Sequence, residues 1–328
     1  METILKPAIL TPSDPHLRLF EPVTDLDAVA DLVELCFSPT LDADGHRYLR
    51  QMRNAARNPN LVRIASRLGE TNAFPMSGFV WIENSRLVGN LSLIPFSQHS
   101  RRIYLIANVA VHPDFRRKGI ARALTRAALN HLQQAGADFP WLQVRDDNPL
   151  AYQLYASLGF KEHTRRTTWH IATRPAVQAA IPAGIKITSL QHAHRKDQQR
   201  WLQDAYPLEI AWHLPFRLQD LQPGLLGFIK RLFSGVFVRQ WAAIRNDRLI
   251  GTIAWQANQG YYNTLWMATD PQEREAAAYA LLGYVTNNYG MRRAMALDHP
   301  TGWAADALQA HGFVPHQTLV WMQAARWT

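Results

Sequence analysis

Cysteine is almost missing from this 328-residue chain, Cys36 being the only one. A single thiol excludes an intramolecular disulfide and a cysteine-built metal cluster. Cys36 stands with Val33 and Phe37 on the apolar face of an expected helix, the position of a buried structural thiol rather than of a nucleophile. Long apolar runs are missing as well. No stretch approaches the roughly 20 residues needed to span a bilayer. The leading Met1-Glu2-Thr3-Ile4-Leu5-Lys6-Pro7 has neither a long apolar core nor a cleavage-like end, so the expectation is a cytoplasmic protein with no membrane partner. Carboxylates are the scarcer charge, 26 against 35 Lys and Arg, for a net charge of +9. The excess is spread: 21 basic against 16 acidic residues up to Arg174, and 14 against 10 beyond it. With no basic tail and no nucleic-acid motif, this charge suits a small polyanion and gives no specific nucleic-acid partner.

What the chain does have is apolar mass, 47% of residues, enough for two packed cores at this length. Its organising stretch runs from Ile106 to Leu132. An apolar strand, Asn108-Val109-Ala110-Val111-His112, stops at Pro113. A basic turn, Arg116-Arg117-Lys118, leads to Gly119. Beyond it Ile120, Leu124, Ala127, Ala128 and Leu132 recur at helical spacing. A helix N-terminus offers unpaired N–H groups and the positive end of a dipole, and a residue without Cβ lets a bulky anion approach. Strand, basic turn and helix together predict a phosphate or pyrophosphate ligand. A second element, Asp147-Asn148-Pro149-Leu150-Ala151-Tyr152-Gln153-Leu154-Tyr155, has a helix-capping asparagine, a proline in the first turn and a stop at Gly159-Phe160.

Arg116-Arg117-Lys118-Gly119-Ile120-Ala121 resembles the pyrophosphate loop of the GNAT superfamily of acetyl-CoA-dependent N-acetyltransferases, Gln/Arg-x-x-Gly-x-Gly/Ala. The 148–160 element is similar to that family's fourth helix, Asn-x-x-Ala-x-x-x-Tyr-x-x-x-Gly-Phe. The resemblance covers about residues 15–172. It implies an α/β (α+β) fold with a mixed, largely antiparallel twisted sheet flanked by helices, splayed between the strands ending near Val111 and Val144.

In chain order, Met1 to His16 reads as an irregular lead-in. Leu17-Arg18-Leu19-Phe20 alternates like a strand, and Asp25–Phe37 and Asp44–Asn58 read as helices. The second helix places Arg47, Arg50, Arg53 and Arg57 on one side, either a solvated face or the edge of an acceptor site. Leu61–Arg67, Ser77–Glu83 and Arg86–Pro95 read as antiparallel strands, with Asn84-Ser85 as a tight turn. Gly136 stops the central helix, Trp141–Val144 is a buried parallel strand, and a final strand lies near Thr167–Ile171. The order βααβββαβαβ is the one the resemblance implies.

Ala172–Gly184 looks like a linker, and the residues beyond it repeat the first half. Ile185-Lys186-Ile187 echoes Leu17-Arg18-Leu19, Arg248–Gly251 echoes Arg86–Gly89, Thr269-Asp270-Pro271 echoes Val111-His112-Pro113, and Gly312-Phe313 echoes Gly159-Phe160, at offsets of 168, 162, 158 and 153. The expectation is two tandem GNAT-like domains, 1–173 and 184–328. Aligning Pro113 with Pro271 sets Gly119 on Ala277, and aligning Gly159 with Gly312 sets Tyr155 on Leu308. The second domain is therefore expected to be degenerate, with a structural or acceptor-site role. Trp201, Tyr206, Trp212 and Phe216 are candidates for core or for one wall of an acceptor cleft.

By resemblance, Val109, Ala110 and Val111 supply backbone groups to the donor's pantetheine arm, and Arg116, Arg117, Lys118, Gly119, Ile120 and Ala121 hold its pyrophosphate. Tyr155 is the candidate catalytic acid for the leaving thiolate, or a core tyrosine. Asn148 binds the cofactor, caps its helix, or both. Acetyl-CoA is the expected acyl donor, with no metal. The expected acceptor is a primary amine of a small molecule. A protein N-terminus or lysine, an RNA-directed acceptor, or non-catalytic acyl-CoA binding are the alternatives. The assembly is expected to be a pseudo-dimeric monomer or a homodimer. Where many relatives carry a catalytic glutamate this chain has Asn108, which cannot accept a proton in that way. Glu83, His99 and His112 remain as bases acting through water, none singled out.

Overall fold

The structure, a computed structural model, describes residues 14–60, 62–63, 75–98, 101–172, 180–214, 221, 237–288 and 293–325. The chain forms two compact units, residues 1–163 with 321–328, and residues 164–320.

The first unit runs β1 (Leu17–Leu19), α1 (Pro22–Phe37), α2 (Ala43–Ala56), β2 (Ser77–Glu83), β3 (Arg86–Gln98), β4 (Arg101–Val111), α3 (Ile120–Gln134), β5 (Phe139–Arg145), α4 (Pro149–Ser157), and enters β6 (Phe160–Ile171). Strands β1 to β4 pair antiparallel in sequence order and β4 pairs parallel with β5, which is the mixed sheet expected. Pro22 opens α1, and the Asp42 carboxylate accepts from Gly45 N at 2.8 Å to cap α2. Both helices bury their apolar faces together: Leu26, Val29 and Val33 meet Leu49 and Met52 over Val80. Gly136, at φ 64°, ends α3 in the left-handed region that glycine adopts without strain.

Two expectations are corrected. Residues 59–60 and 62–63 are helical, so Leu61–Arg67 does not begin as a strand, and 61 and 64–67 lie outside the described residues. Buried Val62 packs with α1 and α2, so its apolarity serves that helical layer rather than a strand. The expected last strand near Thr167 is one continuous strand from Phe160, whose residues from Thr164 onward belong to the second unit. Residues 173–179 of the expected linker, the lead-in up to 13, and Phe216 also lie outside the described residues.

The second unit takes the rest of β6, then β7 (Ile185–Ser189), α5 (Arg195–Ala205), β8 (Val238–Arg245), β9 (Arg248–Gln256), β10 (Asn263–Thr269), α6 (Arg274–Asn288), β11 (Met295–Pro300), α7 (Ala305–Ala310) and most of β12 (Val314–Ala324). Its sheet runs β12-β6-β11-β10-β9-β8-β7, with β10 and β11 parallel. Trp201, Tyr206 and Trp212 are buried, so these three rings are core. The end of β12 returns to the first unit, where Trp321 packs edge-on against Trp141 with ring centroids 6.2 Å apart.

The internal repeat extends to fine geometry. Asn84 and Ser85 turn β2 into β3 at φ 48° and 63°, and Asn246 and Asp247 turn β8 into β9 at φ 48° and 57°. Such turns match the twist of paired strands. Each hairpin shifts register at the corresponding place, after Trp81↔Gly89 and after Ala243↔Gly251. A Cβ on Gly89 would stand 2.9 Å from the Ile120 side chain, and one on Gly251 would stand 2.9 Å from Ala277 Cβ. The helix lies that close to the strand in both units.

Candidate functional site

In the first unit the parallel β4–β5 register runs from Ile103↔Phe139 to Ile106↔Leu142 and stops. Residues 107–111 of β4 and 143–145 of β5 then part, which is the splay expected from the sequence. Val109 and Val111 are half-buried and Ala110 is buried along the parted stretch of β4.

At its end His112 N donates to Val88 O at 2.8 Å, Pro113–Phe115 make one 3-10 turn, and the chain enters α3 through the basic loop. Arg117 has φ 61° and Gly119 has φ 84°. Gly119 is the N-cap, with no side chain closing the helix end. A Cβ added at Gly119 meets nothing within 4 Å. Open space therefore lies beside Gly119, at the point where Ile120 and Ala121 begin the helix and its first N–H groups have no intrahelical partner. Arg116, Arg117 and Lys118 are exposed around it. Arg116 Nε donates to Val111 O at 3.2 Å and Lys118 Nζ lies 4.9 Å from the Phe115 ring centroid. This backbone cradle with three cations fits a pyrophosphate.

Asn148 caps α4, its Oδ1 accepting from Ala151 N at 3.1 Å, which leaves its exposed amide N–H groups for a ligand. Tyr155 is buried on α4, with its ring edge-on to Phe160 at 6.1 Å. Burial pushes its phenol well above the ordinary value, so it keeps its proton at neutral pH.

Among the other candidate groups, Glu83 is engaged by Trp81 Nε1 at 3.2 Å and by His16 at 3.4 Å. His112 is buried with Arg86 2.8 Å from its Nε2, and His99 lies outside the described residues. Cys36 donates to Val111 O at 3.4 Å; burial raises its thiol pKa, and neighbouring Arg116 opposes that without reversing it. Arg53 bridges Asp31 at 2.8 Å and Glu34 at 2.5 Å, which commits one of the α2 arginines to α1.

Beside the splay lies a polar network that sequence reasoning missed. Ala110 pairs with Asn90 and Ala107 with Ser92, so β4 carries one residue more than β3 between those pairs. This is a β-bulge at Asn108, whose φ is 50°. The buried Asn90 side chain donates to Asn108 O at 2.9 Å and to Ser92 Oγ at 3.3 Å. Asn108 Nδ2 donates to Tyr48 Oη of α2 at 3.3 Å and to Ser92 Oγ at 3.4 Å. The available signal was Asn90 and Ser92, two polar residues interrupting the apolar run of β3.

The second unit closes the corresponding position. By helix–strand packing Ala277 sits where Ile120 does, so Gly119 falls on Ala276 and not on Ala277; the second loop is one residue shorter than the alignment on proline implied. Helix α6 begins at Arg274, and the amide corresponding to that of Ile120 is consumed, Ala277 N donating to Glu273 O at 2.8 Å. Leu308, opposite Tyr155 in the repeat, is fully buried.

Strand splay, basic loop and capped α4 lie together at one end of the first unit's sheet. Residues 29–160 match the profile of the Acetyltransferase (GNAT) family, and this part of the chain is a GNAT domain. A ribosomal protein bS18-alanine N-acetyltransferase of Escherichia coli (strain K12) is 41% identical over 76 residues, 23% of this chain and 51% of that protein. The chain thus spans about half the length of the curated relatives of this kind. A mycothiol acetyltransferase of Nocardiopsis dassonvillei is 48% identical over 52 residues, 16% of each chain. In fold, a tandem GNAT protein from the clavulanic acid biosynthesis pathway superposes with a TM-score of 0.50 at 17% identity, covering 94% of this chain and 98% of that one.

Proposed function

We propose that the chain is an N-acetyltransferase whose first unit holds acetyl-CoA and passes the acetyl group directly to the primary amine of a small molecule. The observation that carries this is the open, uncapped N-terminus of α3 beneath Gly119 at the end of the splayed strand. Arg116, Arg117, Lys118, Gly119, Ile120 and Ala121 would hold the pyrophosphate. The parted residues Val109, Ala110 and Val111 would hold the pantetheine arm, and Asn148 would add its free amide N–H groups. Tyr155, kept protonated by burial, would give its proton to the departing thiolate. The second unit would bind no donor, because α6 occupies the place of the loop.

A protein N-terminus is a second acceptor reading. It has one observation in its favour: the Escherichia coli relative is named for the alanine of a ribosomal protein.

Calorimetric titration of acetyl-CoA into the wild type and Gly119→Glu tests the assignment. One site per chain, lost in the variant while its thermal transition persists, is the expected result. No binding to the wild type, or undiminished binding to the variant, overturns it.

A further inference from the structure

We infer that the second unit carries a binding site of its own, a groove between α6 and α7 that takes a small organic ammonium ion with a compact apolar body. Every residue of this site belongs to the second unit, and the inference does not rest on the acetyltransferase reading of the first.

The groove has a volume of about 460 Å³, room for a ligand of small-molecule size. Glu275, Ala276 and Tyr279 line it from the start of α6, and Asp306, Ala307 and Ala310 line it from α7. Each set follows the i, i+1, i+4 spacing that keeps residues on one side of a helix. Pro182 joins them from the segment before β7, its carbonyl accepting from Ile185 N at 3.2 Å, which ties that segment to the strand. One proline and three alanines make an apolar wall with little relief, suited to a flat or compact hydrocarbon body.

The charges choose the ligand. Glu275 and Asp306 are exposed at the groove, and Glu275 is held toward α7 by a hydrogen bond from Ala307 N at 3.3 Å. Arg274, next in the chain, feels the Glu275 charge but lays its guanidinium on Trp303, Cζ 3.6 Å from the ring centroid. Two carboxylates beside an apolar wall repel an anion and attract a cation, and the wall lowers the local dielectric through which they act. Tyr279, whose ring packs 4.5 Å from that of buried His311, adds an aromatic surface of the kind that attracts ammonium groups.

The internal repeat supplies the contrast. With Ala277 at the place of Ile120, Glu275 stands where Lys118 does and Tyr279 where Arg122 does. Two cations at the head of α3 are thus a carboxylate and a phenol at the head of α6. The second copy has lost its preference for a polyanion by inverting the charge of this position, and the cavity beside it is retained. The ligand that meets these features carries its ammonium group at Glu275 and Asp306 and lays its apolar body on Ala276, Ala307, Ala310 and Pro182.

Titration of the full chain at neutral pH with 2-phenylethylammonium, followed by ligand-observed NMR, tests this. Its neutral and anionic counterparts, 2-phenylethanol and 3-phenylpropanoate, are the controls. The expected result is saturable binding of the cation with a Kd on the order of 0.1–1 mM, about tenfold tighter than the alcohol, with no binding of the carboxylate. Raising the salt to about 0.5 M NaCl should weaken the cation and leave the alcohol unchanged. Glu275→Gln combined with Asp306→Asn should abolish the preference for the cation. Ala310→Phe, a substitution at an exposed position that fills the groove, should abolish binding while the thermal transition persists. Gly119→Glu should leave the ammonium affinity unchanged whatever it does to acetyl-CoA, which separates this site from the first unit. Absence of cation binding, equal affinity for cation and alcohol, or binding that survives Ala310→Phe or the double variant undiminished overturns the inference.

Discussion

At the scale of single residues, the first unit separates two chemical demands by burial. The loop cations stay in water, where a phosphate can reach them, while Tyr155 is withdrawn from it. A phenol whose pKa is raised holds its proton throughout the neutral range and into alkali, so it can act only as a donor there. Tyr155→Phe keeps the ring on Phe160 and removes the proton. We expect kcat to fall by about 10²-fold with acetyl-CoA affinity unchanged, measured by steady-state kinetics beside calorimetry. A phenylalanine variant with wild-type kcat would leave Tyr155 only its packing role. In the wild type, no loss of rate from ionisation of this phenol is expected below about pH 10, the ordinary tyrosine value, because its pKa lies above that. Asn148 shows how one amide can serve twice, Oδ1 for the helix and the N–H groups for a ligand.

At the scale of elements, the closeness of helix to strand is set by a missing side chain. Gly89 lets α3 lie against β3, and a methyl there would meet Ile120 Cγ2 and Trp81 Cβ at 2.9 Å and Leu124 at 3.2 Å. Gly89→Ala is expected to destabilise the protein by about 1–3 kcal/mol through overpacking, read from denaturant or thermal unfolding. It should also weaken acetyl-CoA binding, because a displaced α3 carries its N-terminus with it. Unaltered stability would mean that α3 yields without cost. The same element in the second unit shows what three residues decide. Arg274, Glu275 and Ala276 continue α6 where Arg117, Lys118 and Gly119 form a loop, and Glu275 turns its carboxylate to Ala307 N at 3.3 Å.

At the scale of the whole molecule, the first compact unit is not one continuous piece of chain. Residues 321–328 belong with 1–163, and Trp321 is buried against Trp141 in that unit. A fragment cut at 173 therefore loses part of its own core. We expect residues 1–173 alone to show no cooperative thermal transition by circular dichroism, at conditions where the full chain unfolds cooperatively. A sharp transition of the fragment would show that the end of β12 is dispensable to the first unit.

Much of this was legible along the chain because it is encoded locally. The helical period of Ile120, Leu124, Ala128 and Leu132, the punctuation by Pro113, Gly119 and Gly136, and the asparagine–proline start of α4 need only near neighbours to act. The tandem repeat was legible for the same reason, since its echoes sit in turns and strand ends. What the sequence determined by itself is thus the order of elements, the basic loop that leads into α3, and the divergence of the second copy from it. The tertiary structure alone decided the rest: the bulge that brings Tyr48, Asn90, Ser92 and Asn108 together, the one-residue shift that sets Ala276 opposite Gly119, and the return of β12 to the first unit. Each of these depends on which strands pair and in what register, and pairing joins residues far apart in the chain whose local preferences are the same whether they meet or not.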